Sequence, residues 1–360
     1  MKHTHISVLM ILSALLLVGQ GCVLGGGSGP STSGPAGIFA STNAGEDWQS
    51  VSFVPTVFGV RNVSGLSVFR LVEDPHDSKT LYWLTRDSGL LYSYDDGKSW
   101  QQSVEPFNTG FVYSLNVHPE SPCTLVASNG RQIFRSIDCS RSWKEIYREG
   151  RPEVVIRSVA HDPFPPYDIY ALGDNGDLIK SLDKGLSWNS VIRLEIKALS
   201  VVFDAKRQGL LYISTRDRGL YRSLTGGSTW VDLSDKLGVF PGALEYRSFI
   251  VYPTEANHIY WVSKYGVLVS KNAGEDWEAI ELITPPGGVS IYGFAVNPRN
   301  EKEIYYTGTV GVKSTFYRTL DGGRNWVTKR LPSNQIPTIL RAHPDQPGWL
   351  YMGFTIPQAK

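Results

Sequence analysis

The chain has 360 residues, enough for one large domain or two ordinary ones. Its 36 glycines and 21 prolines beside 10 tryptophans and 18 tyrosines favour many short strands joined by tight turns. With 35 basic against 34 acidic side chains there is no excess of positive charge to grip a nucleic acid along the chain, so that class of partner is excluded.

In chain order, Lys2 is followed by an apolar run over 6–18 and small residues ending at Gly21-Cys22. The run is too short for a comfortable membrane span and has the layout of an export signal over 1–21. Its end resembles a bacterial lipoprotein box, although Gly19 stands where that family prefers leucine. The resemblance implies that Cys22 becomes a lipidated first residue, holding the protein on a bacterial membrane and facing the periplasm or the exterior. Residues 22–36, rich in Gly, Ser and Pro, form an expected flexible tether to a folded body over 37–360.

Along that body one octet recurs seven times: STNAGEDW (41–48), SYDDGKSW (93–100), SIDCSRSW (136–143), SLDKGLSW (181–188), SLTGGSTW (223–230), SKNAGEDW (270–277) and TLDGGRNW (319–326). The closing tryptophans, Trp48, Trp100, Trp143, Trp188, Trp230, Trp277 and Trp326, lie 42 to 52 residues apart, a period that fits four strands per repeat. Before each octet come two strand-like runs with a tight turn, and before those an apolar run ending in a polar-proline turn, as in LNVHP and VAHDP. Each unit therefore reads as a four-stranded antiparallel meander, which cannot cover both its faces alone. The C-terminal stretch TILRAHPDQPGWLYMGF supplies two first strands without an octet, and GIFASTNAGEDWQSV near the start supplies two last strands without a beginning. Joined, they complete a seventh unit, so the expected fold is an all-β, seven-bladed β-propeller whose terminal strands share one blade.

The octet itself reads as a turn device. Its third residue, Asp95, Asp138, Asp183 or Asp321 in four copies, can accept backbone N–H bonds within the turn, and its fifth is Gly in six of the seven. Asn43, Asn272 and Thr225 replace the acid and Ser140 the glycine, a drift a turn tolerates and a catalytic carboxylate would not. One or two carboxylates also fall short of a calcium loop. Cys123 and Cys139 flank a hairpin turning at Asn129-Gly130, where a disulfide is favoured over two buried thiols.

Function belongs on the face opposite the octets, where connections vary. Three of these are long, 51–68, 231–246 and 278–291, and carry Phe58, Phe240 and Tyr246. Aligning the innermost strands places Phe69, Tyr113, Arg157, Leu199, Arg247, Tyr292 and Thr338 around the mouth of the central channel, with Arg70 and Lys197 near. Turns on the same face add Arg86, Arg131, Arg216, Arg218 and Lys264 against Asp87, Asp174, Asp177 and Asp217. We take Tyr113, Arg157, Lys197, Arg216, Arg247 and Tyr292 as the candidate rim, suited to a protein partner or a carboxylate-bearing ligand.

The octets resemble the BNR or Asp-box repeat, S-x-D-x-G-x-x-W, of sialidases, xyloglucan-cleaving glycosidases, sortilin-type receptors and photosystem II stability/assembly factors. Over 37–360 the chain looks most like the last group, which implies a single exported propeller with an arginine patch, matched here by Arg157 and Arg247. An Arg-Ile-Pro motif of the sialidase kind is absent, and nothing orders Asp87, Asp174 and Asp217 into the acid and base a glycosidase needs. No P-loop, GxSxG or clustered His/Cys set stands out, so no cofactor or metal is expected. The expectation from sequence is a non-catalytic, membrane-tethered monomer that helps assemble an envelope protein complex; the alternative is a carbohydrate-binding or glycoside-hydrolase-like surface protein.

Overall fold

The computed structural model describes residues 32–357; the expected export signal, Cys22 and most of the expected tether lie outside the described residues. Within them the chain forms seven four-stranded antiparallel sheets, a two-stranded hairpin (Phe53–Thr56 with Gly59–Asn62) and one short helix, Ser234–Gly238. This is the seven-bladed propeller. In six blades chain order is spatial order, as in Ile156–His161, Ile169–Gly173, Asp177–Ser181 and Asn189–Arg193. The seventh is built from both ends: Gly37–Ser41 pairs antiparallel with Leu350–Thr355, from Gly37↔Phe354 to Ser41↔Leu350.

Second strands such as Leu81–Leu84, Ile169–Gly173 and Ile259–Ser263 are buried along their whole length. Both faces of each sheet are covered by neighbouring sheets, so these strands are continuously apolar instead of alternating. Tyr82, Leu84 and Leu90 of the first blade, for example, share a core with Leu115, Val117, Leu125 and Ala127 of the second. The core is thus a ring of interfaces, each held by side chains from two blades.

Each octet closes its turn by the same two bonds. The first hydroxyl accepts from the N–H of the fifth residue, as from Gly97 to Ser93 Oγ (2.9 Å) and Gly185 to Ser181 Oγ (2.7 Å). The third side chain accepts from the N–H of the seventh, as from Ser99 to Asp95 (2.9 Å) and Ser187 to Asp183 (2.8 Å). The third and seventh side chains also bond each other. Where Asn43 and Asn272 replace the acid, the seventh residue is Asp47 or Asp276 and accepts from the amide, at 3.0 and 2.9 Å. Donor and acceptor exchange places, and the pair survives.

The fifth residue is left-handed throughout, from φ 70° at Ser140 to 95° at Gly323. At Gly45 a Cβ would come within 2.3 Å of Phe316, so glycine is also needed there for close approach. Ser140 is tolerated because its hydroxyl bonds that of Ser103 at 2.7 Å. The same turn is crosslinked, Cys139 being joined to Cys123 by a disulfide with Cα atoms 4.0 Å apart.

Several octet tryptophans reach beyond their own turn. Trp100 Nε1 donates to Val51 O at 2.6 Å, Trp188 Nε1 to Ile146 O at 3.1 Å and Trp326 Nε1 to Glu281 O at 3.1 Å, each acceptor belonging to the preceding blade's outer edge or the segment just after it. In these copies the tryptophan is a staple between blades as well as a lid on a turn; the Trp230 indole stays with Gly227 O of its own octet, and the buried Nε1 atoms of Trp48 and Trp277 have no protein partner.

Candidate functional site

The innermost strands break register at their loop-face ends. Irregularities fall between Ile156 and Ser158, Ala198 and Ser200, Tyr246 and Ser248, Ile291 and Phe294, and Pro337 and Ile339. The residues inside these breaks include Arg157, Leu199, Arg247, Tyr292 and Thr338. A bulge re-aims one side chain while its neighbours stay in the ladder, so these positions open onto the channel mouth. Phe69 and Tyr113 sit just ahead of their strands, their N–H groups bonded to Leu84 O (3.0 Å) and Ser128 O (2.9 Å).

Aromatic rings and guanidiniums interleave there. Phe111 stacks on Tyr113 at 3.8 Å and meets Phe69 edge-on at 4.8 Å. Arg86 lies over Phe69 and Phe111 at 5.1 and 5.4 Å, Arg70 over Phe69 at 5.4 Å, Arg157 over Tyr113 at 5.6 Å and Arg247 over Tyr292 at 6.0 Å. Each pair is favourable and leaves the N–H edges of the guanidinium for other acceptors. The Nε atoms of Arg157 and Arg247 are buried and have no protein partner.

The electrostatics sharpen the picture. Burial pushes the Arg70 guanidinium below its ordinary range; Tyr246, from across the channel, offsets this, while the charges of Arg157 and Arg341 add to it. Burial raises the Glu73 carboxyl despite Arg341 nearby, which favours its neutral form. Among the described residues none of Arg70, Arg157 and Arg341 has a carboxylate within 4.0 Å, and Arg247 has only Glu245 at that limit. Glu73 lies near Arg341 toward the octet end of the channel, whereas Arg70 and Arg157 bring positive charge to its loop-face end without a carboxylate in ion-pair reach, an arrangement that attracts an anion.

Of the candidate rim, Tyr113–Arg157 and Arg247–Tyr292 come together as stacked pairs. Lys197 and Arg216 are exposed and join through the backbone: Arg216 N–H donates to Lys197 O at 3.0 Å, and Tyr246 N–H to Arg216 O at 3.1 Å. Sequence reasoning missed Phe111, Glu73 and Arg341. Glu73 and Arg341 lie inside innermost strands and meet only once the ring closes between the first and seventh blades.

Two adjoining hollows of about 510 and 430 Å³ flank the mouth and share Gly65, Leu66, Asp87 and Ser88. Amides and hydroxyls of Asn62, Gln102, Asn108 and Thr109 line the second. A third hollow of about 500 Å³ holds Asp174, Asp177, Arg193 and Lys197. Its acids are engaged, Asp177 by Arg151 at 2.5 Å and Asp174 by the N–H of Val155 at 2.9 Å. Asp87, by contrast, is exposed in the shared part of the first two hollows.

The histidines of the polar-Pro turns serve those turns. His118 Nδ1 accepts Glu120 N–H at 3.1 Å, and His161, which bonds Asn116 at 2.8 Å, is held down to about 3 by burial. Glu255, His258 and Glu301 approach one another on the octet face, but the Lys271 ammonium at 2.7 Å from Glu301 already supplies a cation.

No protein-family model matches the chain. A xyloglucanase of a Paenibacillus species is 23% identical over 350 residues, covering 71% of this chain and 33% of its own length. The dispase autolysis-inducing protein of Streptomyces mobaraensis is 23% identical over 287 residues, covering 75% of each. The chain thus spans about a third of the length of the xyloglucanase it matches. Among solved structures, the GH74 xyloglucanase from Xanthomonas campestris superposes with a TM-score of 0.64 at 17% identity, over 86% of this chain and 52% of that one. YCF48 bound to D1 peptide superposes with a TM-score of 0.61 at 15% identity, over 89% of this chain and 100% of that one. Identities this low show the shared fold alone. They do correct one expectation: relatives and neighbours named for glycan hydrolysis overturn the reading of this chain as a non-enzyme. Acids on loops that only the fold assembles leave no spaced motif to find, so the missing constellation excluded nothing.

Proposed function

We propose that the chain is an exported, glycoside-hydrolase-like propeller that engages a carboxylate-bearing glycan on its loop face, held at the cell envelope through Cys22 and the tether of 22–36. The observation that carries this is the pair of guanidiniums, Arg70 and Arg157, held beside stacked aromatic rings at the loop-face end of the channel with no carboxylate within 4.0 Å. Guanidiniums hold a sugar carboxylate by paired N–H bonds, and aromatic faces cover the apolar face of a pyranose ring. The amide-lined hollow gives hydroxyl groups donors and acceptors, and Asp87 is the carboxylate free to take part in proton transfer there. The xyloglucanases among the relatives make a polysaccharide the first substrate class to test.

Sugar release and retention on immobilised neutral and uronate-bearing plant and bacterial polysaccharides test this reading. Retention of an acidic glycan supports it, with product release lost in Asp87→Asn if the protein is a hydrolase. No retention of any glycan defeats it. A second reading is favoured by the same unpaired arginines, which equally suit the terminal carboxylate of a peptide, and by the peptide-bound neighbour. In that case detergent-solubilised envelopes would yield a stoichiometric protein partner whose capture depends on Arg157 and Arg247.

A further inference from the structure

The connection between the seventh and first blades folds into the hairpin Phe53–Thr56 and Gly59–Asn62, which belongs to no blade. Its root is fixed: Val54 is buried in the core, and Phe53 O accepts Trp100 N–H at 2.8 Å. Its tip is bare. Val57 is 93%, Phe58 98% and Val60 69% exposed. The turn is shaped by Thr56, whose Oγ1 donates to Gly59 O at 2.8 Å and accepts Phe58 N–H at 3.2 Å. The apolar residues therefore contribute nothing to ordering the turn, and leaving them in water is unfavourable.

Two further features narrow the occupant. Across 51–72 there is no acidic residue, and Arg61 and Arg70 are the only charged ones. The described chain also begins on the loop face, Thr32 Oγ1 donating to Gln335 Oε1 at 2.6 Å and Gly37 N–H to Leu66 O at 2.9 Å. A protein interface needs roughly 800 Å² per partner and matched shape. A projecting point of two valines and a phenylalanine offers neither, whereas a bilayer interface accepts such a point without complementarity, and a flanking arginine sits well among anionic headgroups.

We propose that the 53–62 hairpin is a membrane-contact wedge, its Val57–Phe58–Val60 tip entering the interfacial layer of an anionic bilayer with Arg61 at headgroup level. This rests on the envelope-held reading for the source of the bilayer and on the tip alone for its chemistry. The test uses the full chain carrying Cys22→Ser, in which Cys123 and Cys139 are disulfide-bonded. An environment-sensitive dye is attached through Phe58→Cys or, as a control on the octet face, through the 82% exposed Leu186→Cys. Vesicles are phosphatidylcholine with or without phosphatidylglycerol, some with brominated tails.

The expected result is co-sedimentation favoured by phosphatidylglycerol, with a blue shift and bromine quenching at position 58 and none at 186. Replacing Val57 and Phe58 by Ser in the unlabelled chain is expected to weaken vesicle binding on the order of tenfold. Co-sedimentation without a shift at 58, or with equal shifts at both positions, overturns the wedge and leaves the envelope reading standing. No co-sedimentation likewise overturns the wedge and leaves the envelope reading, whose Cys22 anchor this variant lacks, standing.

Discussion

Replacing Trp100 should separate the seven octets, which look equivalent in sequence, by what each holds. Trp100 is fully buried, meets Trp83 edge-on at 5.4 Å and donates its indole N–H to Val51 O. Trp230 is half-buried, and its indole N–H turns back to Gly227 O of its own octet at 2.8 Å. Trp100→Ala removes a large buried side chain and strands a carbonyl on the adjoining segment, a loss of about 3–5 kcal/mol. Trp230→Ala removes a half-covered ring and a local bond, a loss of about 1–2 kcal/mol. Trp100→Phe keeps most of the packing and loses the N–H, a cost of about 1–2 kcal/mol. Guanidinium unfolding followed by intrinsic fluorescence and far-UV circular dichroism reads all three. Equal losses for Trp100→Ala and Trp230→Ala, or a loss below about 1 kcal/mol for Trp100→Ala, would refute the staple between blades.

Other outcomes follow from the same geometry. Hydrogen bonds led by the Ser187 side chain hold Asp183 down to about 2, and those led by the Asn325 N–H do the same for Asp321. Because these folded values lie below the unfolded one, their stabilisation is complete above about pH 4 and is lost as pH falls toward 2, which an acid titration of the thermal midpoint will read. Asp183→Asn should reduce that acid-side loss, while Asp183→Asn with Ser187→Asp recreates the Asn43–Asp47 arrangement and should recover the neutral-pH stability lost in the single variant, read in a double-mutant cycle. Reducing Cys123–Cys139, a loop of 16 residues, should cost about 3 kcal/mol, seen as a lower midpoint in dithiothreitol that Cys123→Ser does not show further. Arg157→Ala should leave the thermal midpoint unchanged or raised, since it removes a charge that opposes Arg70, yet weaken acidic-ligand binding.

The fold was legible because its signals are local and repeated. Turn chemistry at seven octets fixes where third and fourth strands meet, and the two half-units at the ends can be completed only by each other. The bulge positions, Arg157 and Arg247 among them, followed from aligning the innermost strands. The rest was hidden for physical reasons. The approach of Arg70 to Tyr246 is made across the ring, and that of Glu73 to Arg341 at its closure, so no spacing along the chain reveals either. The 51–68 connection reads as a loop because its hairpin lacks the alternation of a half-buried sheet. One signal was present and unread: Asn at the third octet position always comes with Asp at the seventh, in Asn43–Asp47 and Asn272–Asp276.

The central claim is that the unpaired arginines at the channel mouth take a carboxylate carried on a sugar chain. Calorimetric titration with a uronate-bearing oligosaccharide and its carboxyl-reduced neutral counterpart, against the parent and Arg70→Ala/Arg157→Ala proteins, tests it most directly. The account predicts binding on the order of tenfold tighter for the acid than for the neutral sugar in the parent, a difference that disappears in the double variant. Equal affinities for the two sugars in the parent, or a preference that survives the loss of both arginines, would contradict it.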